Sequence, residues 1–197
     1  AEITTVKKDL FMNEQQLSAI KWYFVGFITL AIGSLLLWQY LHAGVPSHYL
    51  LQRADLPEIS NWWGGILLPF LTWLAMSRVQ KRIVASPAES RLRLGKLVLI
   101  SFMLALCYGA MLSIAFVKGY TDISAVLFPA ILIFALFFRV YREEFILGFI
   151  LSMSITFGAV LPTIFGAVIA LASAIVYFFV RFIYSQVKTL TSSKQTG

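Results

Sequence analysis

Two groups of residues in this sequence have side chains that could do chemistry. The first, which we call the 42–62 cluster, brings imidazole, carboxylate, guanidinium, amide and indole groups into one short stretch. Imidazole and carboxylate are ligands that zinc accepts, but the spacing of His42 and His48 matches no zinc motif, so both are metal-ligand candidates and no metal site is assigned. The stretch also suits a site for a small molecule or a lipid headgroup, or a solvated loop. Its candidate ligand-binding residues are His42, His48, Arg53, Asp55, Glu58, Asn61 and Trp62.

The second group, the 139–144 cluster, consists of Arg139, Arg142, Glu143 and Glu144. Arg139 and Glu143 are four residues apart, so they are neighbours on a helix surface if one helix runs through both. The prediction for this group is therefore an ordinary ion pair between them.

The motifs of common enzyme classes are absent. The sequence contains no H-E-x-x-H, no G-x-S-x-G, no Walker A loop and no G-x-G-x-x-G, so the reactions that these motifs support are not indicated. Charged residues are also missing from the middle of the apolar runs, where ion-coupled pumps and carboxylate proteases usually need one. No reaction is assigned on this basis.

The elements that must position these residues follow from the composition. Hydrophobic residues make up 59% of the 197 residues and charged ones 13%, against about 45–50% and about 25% in soluble domains. The apolar runs approach the roughly 20 residues that a bilayer core demands. The sequence therefore predicts an all-α, multi-pass protein of the cell membrane, a bundle of six transmembrane helices. The predicted spans are 23–42, 62–77, 97–117, 123–138, 145–160 and 163–180.

The last two spans depend on a turn that no charge marks. From Phe145 to Val180 there is no charged residue, and one straight helix of that length would measure about 54 Å. Gly158 and Pro162 are the residues most compatible with a break, so we predict the turn there.

The basic residues predict the orientation, because Lys and Arg accumulate in cytoplasmic segments. With six spans, 14 of the 16 basic residues fall on one side and 2, Arg53 and Lys118, on the other. Both ends are therefore predicted to be cytoplasmic. The domain scheme is a cytoplasmic or interfacial segment at 1–22, a membrane domain at 23–184 and a cytoplasmic tail at 185–197.

Small residues recur every fourth position in three spans, which lets helix backbones approach closely in a membrane. The sequence predicts that the fifth and sixth spans form a tightly packed antiparallel hairpin. The fourth span is rich in large apolar residues, such as Phe134, Leu136, Phe137 and Phe138, which suits contact with lipid or with another subunit. The three stripes are Ala105, Gly109 and Ser113; Gly148, Ser152 and Thr156; and Gly166, Ala170 and Ala174.

The stretch 78–96 carries six basic residues between the second and third spans. We expect it to contact anionic lipid headgroups, at about 1 kcal/mol for each charge near the surface. The net charge of +7 is spread over short segments between the spans, so nucleic acid is not expected as a partner.

Three functions stay open at this level. The first is a small transporter, a channel or a protein that binds a small ligand or lipid, and it is slightly favoured. The second is a membrane-embedded enzyme that acts on a lipid at the outer leaflet, with His48, Asp55 and Glu58 as acid, base or metal ligands. The third is a non-catalytic assembly or regulatory subunit, in a homo-oligomer or with a partner subunit.

Overall fold

The computed structural model describes most of the chain. The described residues are 13–42, 44–49, 58–120, 122, 126–127, 130–131, 133 and 140–193.

Helices dominate this part of the chain, which confirms the predicted all-α class. Five α-helices are described, with a two-stranded antiparallel hairpin between the first two, in which Ser47 pairs with Ser60. In chain order the elements are α1 (Glu14–His42), β1 (Ser47–Tyr49), β2 (Glu58–Ser60), a 3-10 turn (Asn61–Trp63), α2 (Gly64–Val84), α3 (Ala88–Val117), α4 (Glu143–Phe157) and α5 (Val160–Ser193).

The start of α1 has a clear local cause. The side chain of Asn13 accepts a hydrogen bond from the backbone N–H of Gln15 at 2.8 Å, and the side chain of Gln16 accepts one from the N–H of Asn13 at 3.0 Å. This reciprocal pair satisfies two of the backbone donors that a helix start leaves free. The helix then runs without a break into the predicted first span.

Three of the helices are long and apolar enough to cross a membrane: α1, α3 and the Val160–Tyr184 part of α5, with mean hydropathies of 1.8, 2.3 and 2.3. In the most apolar 18-residue stretch of each helix, only 11%, 22% and 17% of the residues, respectively, are buried inside the protein. Soluble proteins rarely expose apolar surface on that scale, so the architecture is compatible with a membrane protein. This count covers the described residues, and most of the predicted fourth span, including Phe134, Leu136, Phe137 and Phe138, lies outside them.

The turn between the last two helices lies where the sequence predicts it. Helix α4 ends at Phe157, and Gly158 has a φ of +70°, a conformation that a residue without Cβ adopts at little cost. Helix α5 begins at Val160, with Pro162 in its first turn, where the missing N–H of proline breaks no helical hydrogen bond.

The close contact made by the small residues of α4 is with α3, and this differs from the prediction. A Cβ placed on Gly148 would lie 2.5 Å from the backbone oxygen of Phe102, and one placed on Gly109 would lie 2.0 Å from Ser152 Oγ. The opposite face of α4 carries Ile146 and Ile150, which contact Gly166 of α5. The hairpin of α4 and α5 is therefore packed, but the contact is made by two isoleucine side chains of α4 against a glycine of α5.

Two further groups of buried side chains pack α1 and α2 against α3 and α4. Ile32 and Leu36 of α1 meet Leu68 of α2 and Ile150 of α4 in one buried group. At the other end of α1, Leu17 packs with Val79 and Ile83 of α2 and with partly buried residues of α3. Three helices, α1, α2 and α3, therefore meet around the start of α1, while α4 packs against α1 further along its length.

Candidate functional site

The described side chains of the 42–62 cluster contact different neighbours. His42 is exposed at the end of α1, its Nδ1 2.9 Å from the backbone oxygen of Trp38 and its ring stacked on the Trp38 ring at 4.8 Å. The strand register pairs His48 with Ile59, so Glu58 is not its cross-strand partner. Arg53 and Asp55 lie outside the described residues.

Asn61 and Trp62 hold the hairpin against α1. Asn61 is buried; its side chain donates a 3.4 Å hydrogen bond to Gln39 Oε1, and its backbone N–H donates to Pro46 O at 3.1 Å. The Trp62 ring is half exposed, with its centroid 6.4 Å from that of Tyr40. Asn61 therefore has a structural contact here. Across the part of the chain that the structure describes, no three His, Cys, Asp or Glu residues are placed to hold a metal ion.

The 139–144 cluster is organised differently from the predicted ion pair. Arg139 lies outside the described residues, and Arg142 has extended backbone angles of −72° and 148° before α4 begins at Glu143. No continuous helix therefore runs through Arg142 to bring Arg139 and Glu143 onto one surface. Instead, Glu143 Oε2 lies 3.3 Å from Nη1 of Arg82, near the end of α2.

Glu144 is the buried member of this group. Its side chain is 3% exposed, and its Oε1 lies 2.8 Å from Arg82 Nη2 and 4.0 Å from Arg142 Nη1. A carboxylate with so little access to solvent requires a partner, because removing an isolated charge from water costs several kcal/mol. Arg82 is that partner, and it links α2 to α4.

One further atom on each side of this pair is buried without a hydrogen-bond partner among the described residues: Arg82 Nε and Glu144 Oε2. Arginine and carboxylate frequently form two parallel hydrogen bonds, and these atoms are the ones that a second bond would use. Arg82 therefore makes one of the two hydrogen bonds that a guanidinium can offer to this carboxylate.

Beside this ion pair lies a cavity of about 400 Å³ between α1, α2, α3 and α4. Its walls are almost entirely apolar, and Leu17, Val79, Phe102 and Leu147 each contribute from a different helix. The volume falls in the range of about 300–1,000 Å³ that is typical of small-ligand sites. This cavity is the candidate site.

The polar residues of the lining are all near one end of the cavity. Gln80 lies in the last turns of α2, Lys96 in the first half of α3 and Glu144 at the start of α4. The far end is formed by residues deeper in the helices, such as Phe24 and Met103. The cavity surface itself is almost wholly apolar, so these three residues line it mainly with their carbon atoms and mark the end at which polar groups lie nearby.

The basic stretch 78–96 is mostly helical, and its six basic residues divide into two classes. Arg82 is paired with the glutamates, and Arg91 donates to the backbone oxygens of Ser86 at 3.2 Å and Val84 at 2.9 Å, which caps the end of α2. The side chains of the other four are exposed: Arg78, Lys81, Arg93 and Lys96.

Sequence reasoning found Glu144 and the basic stretch but missed that Arg82 is the partner of Glu144. The two residues are 62 positions apart, and no local spacing connects them. The apolar lining residues were not recognised because they are ordinary members of apolar runs.

The chain was compared with known families, proteins and structures for independent information on this cavity. No family model, curated protein sequence or solved structure matches the chain.

Proposed function

We propose that this chain is a multi-pass protein of the cell membrane that binds a lipid or a similar apolar ligand in the cavity between α1, α2, α3 and α4. The observation that carries the proposal is the cavity itself, about 400 Å³ of apolar-lined space with polar residues at one end.

We further propose six spans with both ends in the cytoplasm. The basic residues support this, with 14 of 16 on one side. The uncharged part of α2, residues 64–77, measures about 21 Å, so together with the 3-10 turn before it, this part accounts for most of a hydrocarbon core of about 30 Å. In this topology the polar end of the cavity faces the cytoplasmic leaflet, because the start of α1, the end of α2 and the starts of α3 and α4 all lie on that side.

Physical chemistry favours an occupant for such a space. Atoms that line an empty apolar void have no partner on one side and therefore lose dispersion contacts. Membrane lipids supply apolar chains at high local concentration. A chain in the cavity would restore those contacts.

Binding is better supported than transport or catalysis. The lining residues lie in the halves of α1, α2, α3 and α4 that meet at the polar end, so they describe a pocket in one leaflet. Catalysis at the outer leaflet would use His48 and Glu58 together, but the strand register pairs His48 with Ile59 and Glu58 with Tyr49.

The proposed topology has a direct test with single cysteines in a Cys107→Ser background. Ser47, in the hairpin, and Ala85, in the turn after α2, are both exposed and are the two positions changed to cysteine. A membrane-impermeant maleimide added to intact cells is expected to label the first and to label the second only after permeabilisation. The Cys107→Ser parent is the control, and labelling of Ala85→Cys in intact cells would contradict the orientation.

The proposed ligand binding is tested by filling the cavity. Met103 and Met111 are both on α3 and are 47% and 53% exposed, but only Met103 lines the cavity. We expect Met103→Trp to reduce the fraction of purified protein that retains a lipid by about tenfold, equivalent to about 1.4 kcal/mol, because the indole takes up ligand space. Native mass spectrometry of the detergent-extracted protein measures this fraction.

Met111→Trp is the matched control, since it adds the same ring to the same helix at a similar exposure. Retention in this variant is expected to equal that of the unmodified chain. Equal retention in Met103→Trp and Met111→Trp would show that bound lipid is not in the cavity.

A further inference from the structure

Lys96 has an unusual position among the charged residues of this cavity. It lines the polar end of the cavity from α3, its side chain is exposed, and the described residues provide it with no ion pair or hydrogen bond. The other charged lining residue is Glu144, which is bonded to Arg82 at 2.8 Å.

Of the two charged residues that line the cavity, Lys96 is the one without a countercharge among the described residues. Arg82 and Arg142 lie against Glu143 and Glu144, two cations and two carboxylates in contact. Lys96 adds its charge outside that balanced group. A cationic headgroup would be repelled at this end of the cavity, and an anionic one would be attracted.

We infer that the occupant of the cavity is an anionic membrane lipid, with one acyl chain between the four helices and its phosphate on the Lys96 ammonium. This inference rests on the proposed function and adds the class of headgroup. Lysine offers three N–H donors and a full charge, a good partner for a phosphate oxygen. The amide of Gln80, on the same end of the lining, supplies a further donor to the headgroup.

The inference distinguishes Lys96 from the other exposed cations of this face. Arg78, Lys81 and Arg93 do not line the cavity. They attract an anionic leaflet in a diffuse way, which salt screens. Among the cations that the structure describes, only Lys96 is placed to combine that attraction with a buried acyl chain. Its loss, and not that of Arg78, Lys81 or Arg93, should therefore change which lipid stays bound.

The experiment compares two lipids with identical acyl chains on the full-length protein. Dioleoyl phosphatidylglycerol and dioleoyl phosphatidylcholine are mixed equally into the detergent, and native mass spectrometry measures the lipid that is retained. The unmodified chain is expected to prefer the phosphatidylglycerol roughly tenfold, as a hydrogen bond to a charged group allows. Lys96→Gln should abolish the preference, and Lys96→Arg should keep it.

Lys81→Gln is the matched control, because it removes an exposed lysine of the same face that does not line the cavity. It should behave like the unmodified chain. An equal loss of preference in Lys81→Gln and Lys96→Gln, or no preference in the unmodified chain, overturns the headgroup inference but leaves the proposed function in place.

Failure of the proposed function itself has a different signature. If the unmodified chain retains neither lipid, as expected when residues 1–12 or a second copy fill the cavity, both proposals are overturned. The same conclusion follows if Met103→Trp retains both lipids undiminished.

Discussion

Replacing Arg82 with leucine is expected to destabilise the folded protein by about 3–5 kcal/mol, with the lower end favoured because the Arg82 side chain is 25% exposed. The physical reason is the carboxylate left behind. Glu144 is only 3% exposed, and without Arg82 its charge is buried against Arg142 alone, 4.0 Å away. Unfolding of the purified protein by increasing SDS in mixed micelles measures the loss.

Two double variants separate this explanation from a general effect of the mutation. Arg82→Leu with Glu144→Leu removes both charges, and such replacements of buried pairs are frequently neutral or stabilising, so most of the stability should return. Arg82→Leu with Glu143→Leu leaves Glu144 unpaired and should not recover. If both double variants recover equally, burial of the Glu144 charge is not the cause.

Gly148→Ala is expected to cost about 1–3 kcal/mol, the usual effect of overpacking a tight interface. The added Cβ would lie 2.5 Å from the backbone oxygen of Phe102 and 3.2 Å from the Cβ of Ala105. Because a backbone oxygen cannot rotate away as a side chain can, α3 and α4 have to separate. The same SDS titration measures the effect.

Gly26→Ala is the matched control, because a Cβ on this α1 glycine meets no atom within 4 Å. The substitution should be neutral or slightly stabilising, as alanine is the better helix former. Gly109→Ala should fall between the two, since the nearest atom to its added Cβ would be the Oγ of Ser152, which can rotate, and the nearest backbone atom, the Phe149 oxygen, would lie 3.1 Å away. Equal effects at Gly148 and Gly26 would mean that close α3–α4 contact does not stabilise the fold.

Much of the helical framework could be predicted from the sequence. The turn at Gly158 is an example, because an apolar run too long for one span must reverse its direction. Gly158 provides the backbone freedom for the turn, and Pro162 is favoured in the first turn of the next helix. Such predictions succeed because the cause lies within a few residues of the effect.

The helix partners could not be predicted in this way. The stripe of Gly148 and Ser152 indicates that something approaches α4 closely, but α3 and α5 carry similar stripes. The choice of α3 depends on how α4 is rotated, and Ile146 and Ile150 on its opposite face contact α5 instead. Small residues favour close approach without specifying the neighbour.

In the candidate site, too, the chemically capable residues could be predicted from the sequence, but their partners could not. Glu143 and Glu144 were recognisable as chemically capable residues, but the predicted partner of Glu143 was Arg139, because four residues is the distance that a helix surface joins. The extended backbone at Arg142 breaks the helix on which that spacing relied. Arg82, on α2, pairs with Glu143 instead.

The amino-acid sequence alone was enough to show that the chain is helical and apolar enough for a membrane, and where its last two helices are separated. These properties follow from side-chain solubility and local backbone preference, which each residue carries wherever it lies. The packing of the helices determines that four of them line an apolar cavity, that Arg82 pairs with Glu144 and that Lys96 has no ion pair among the described residues at the cavity end. Those outcomes depend on which helix faces meet, and contacts between residues distant in the chain arise only when the helices pack.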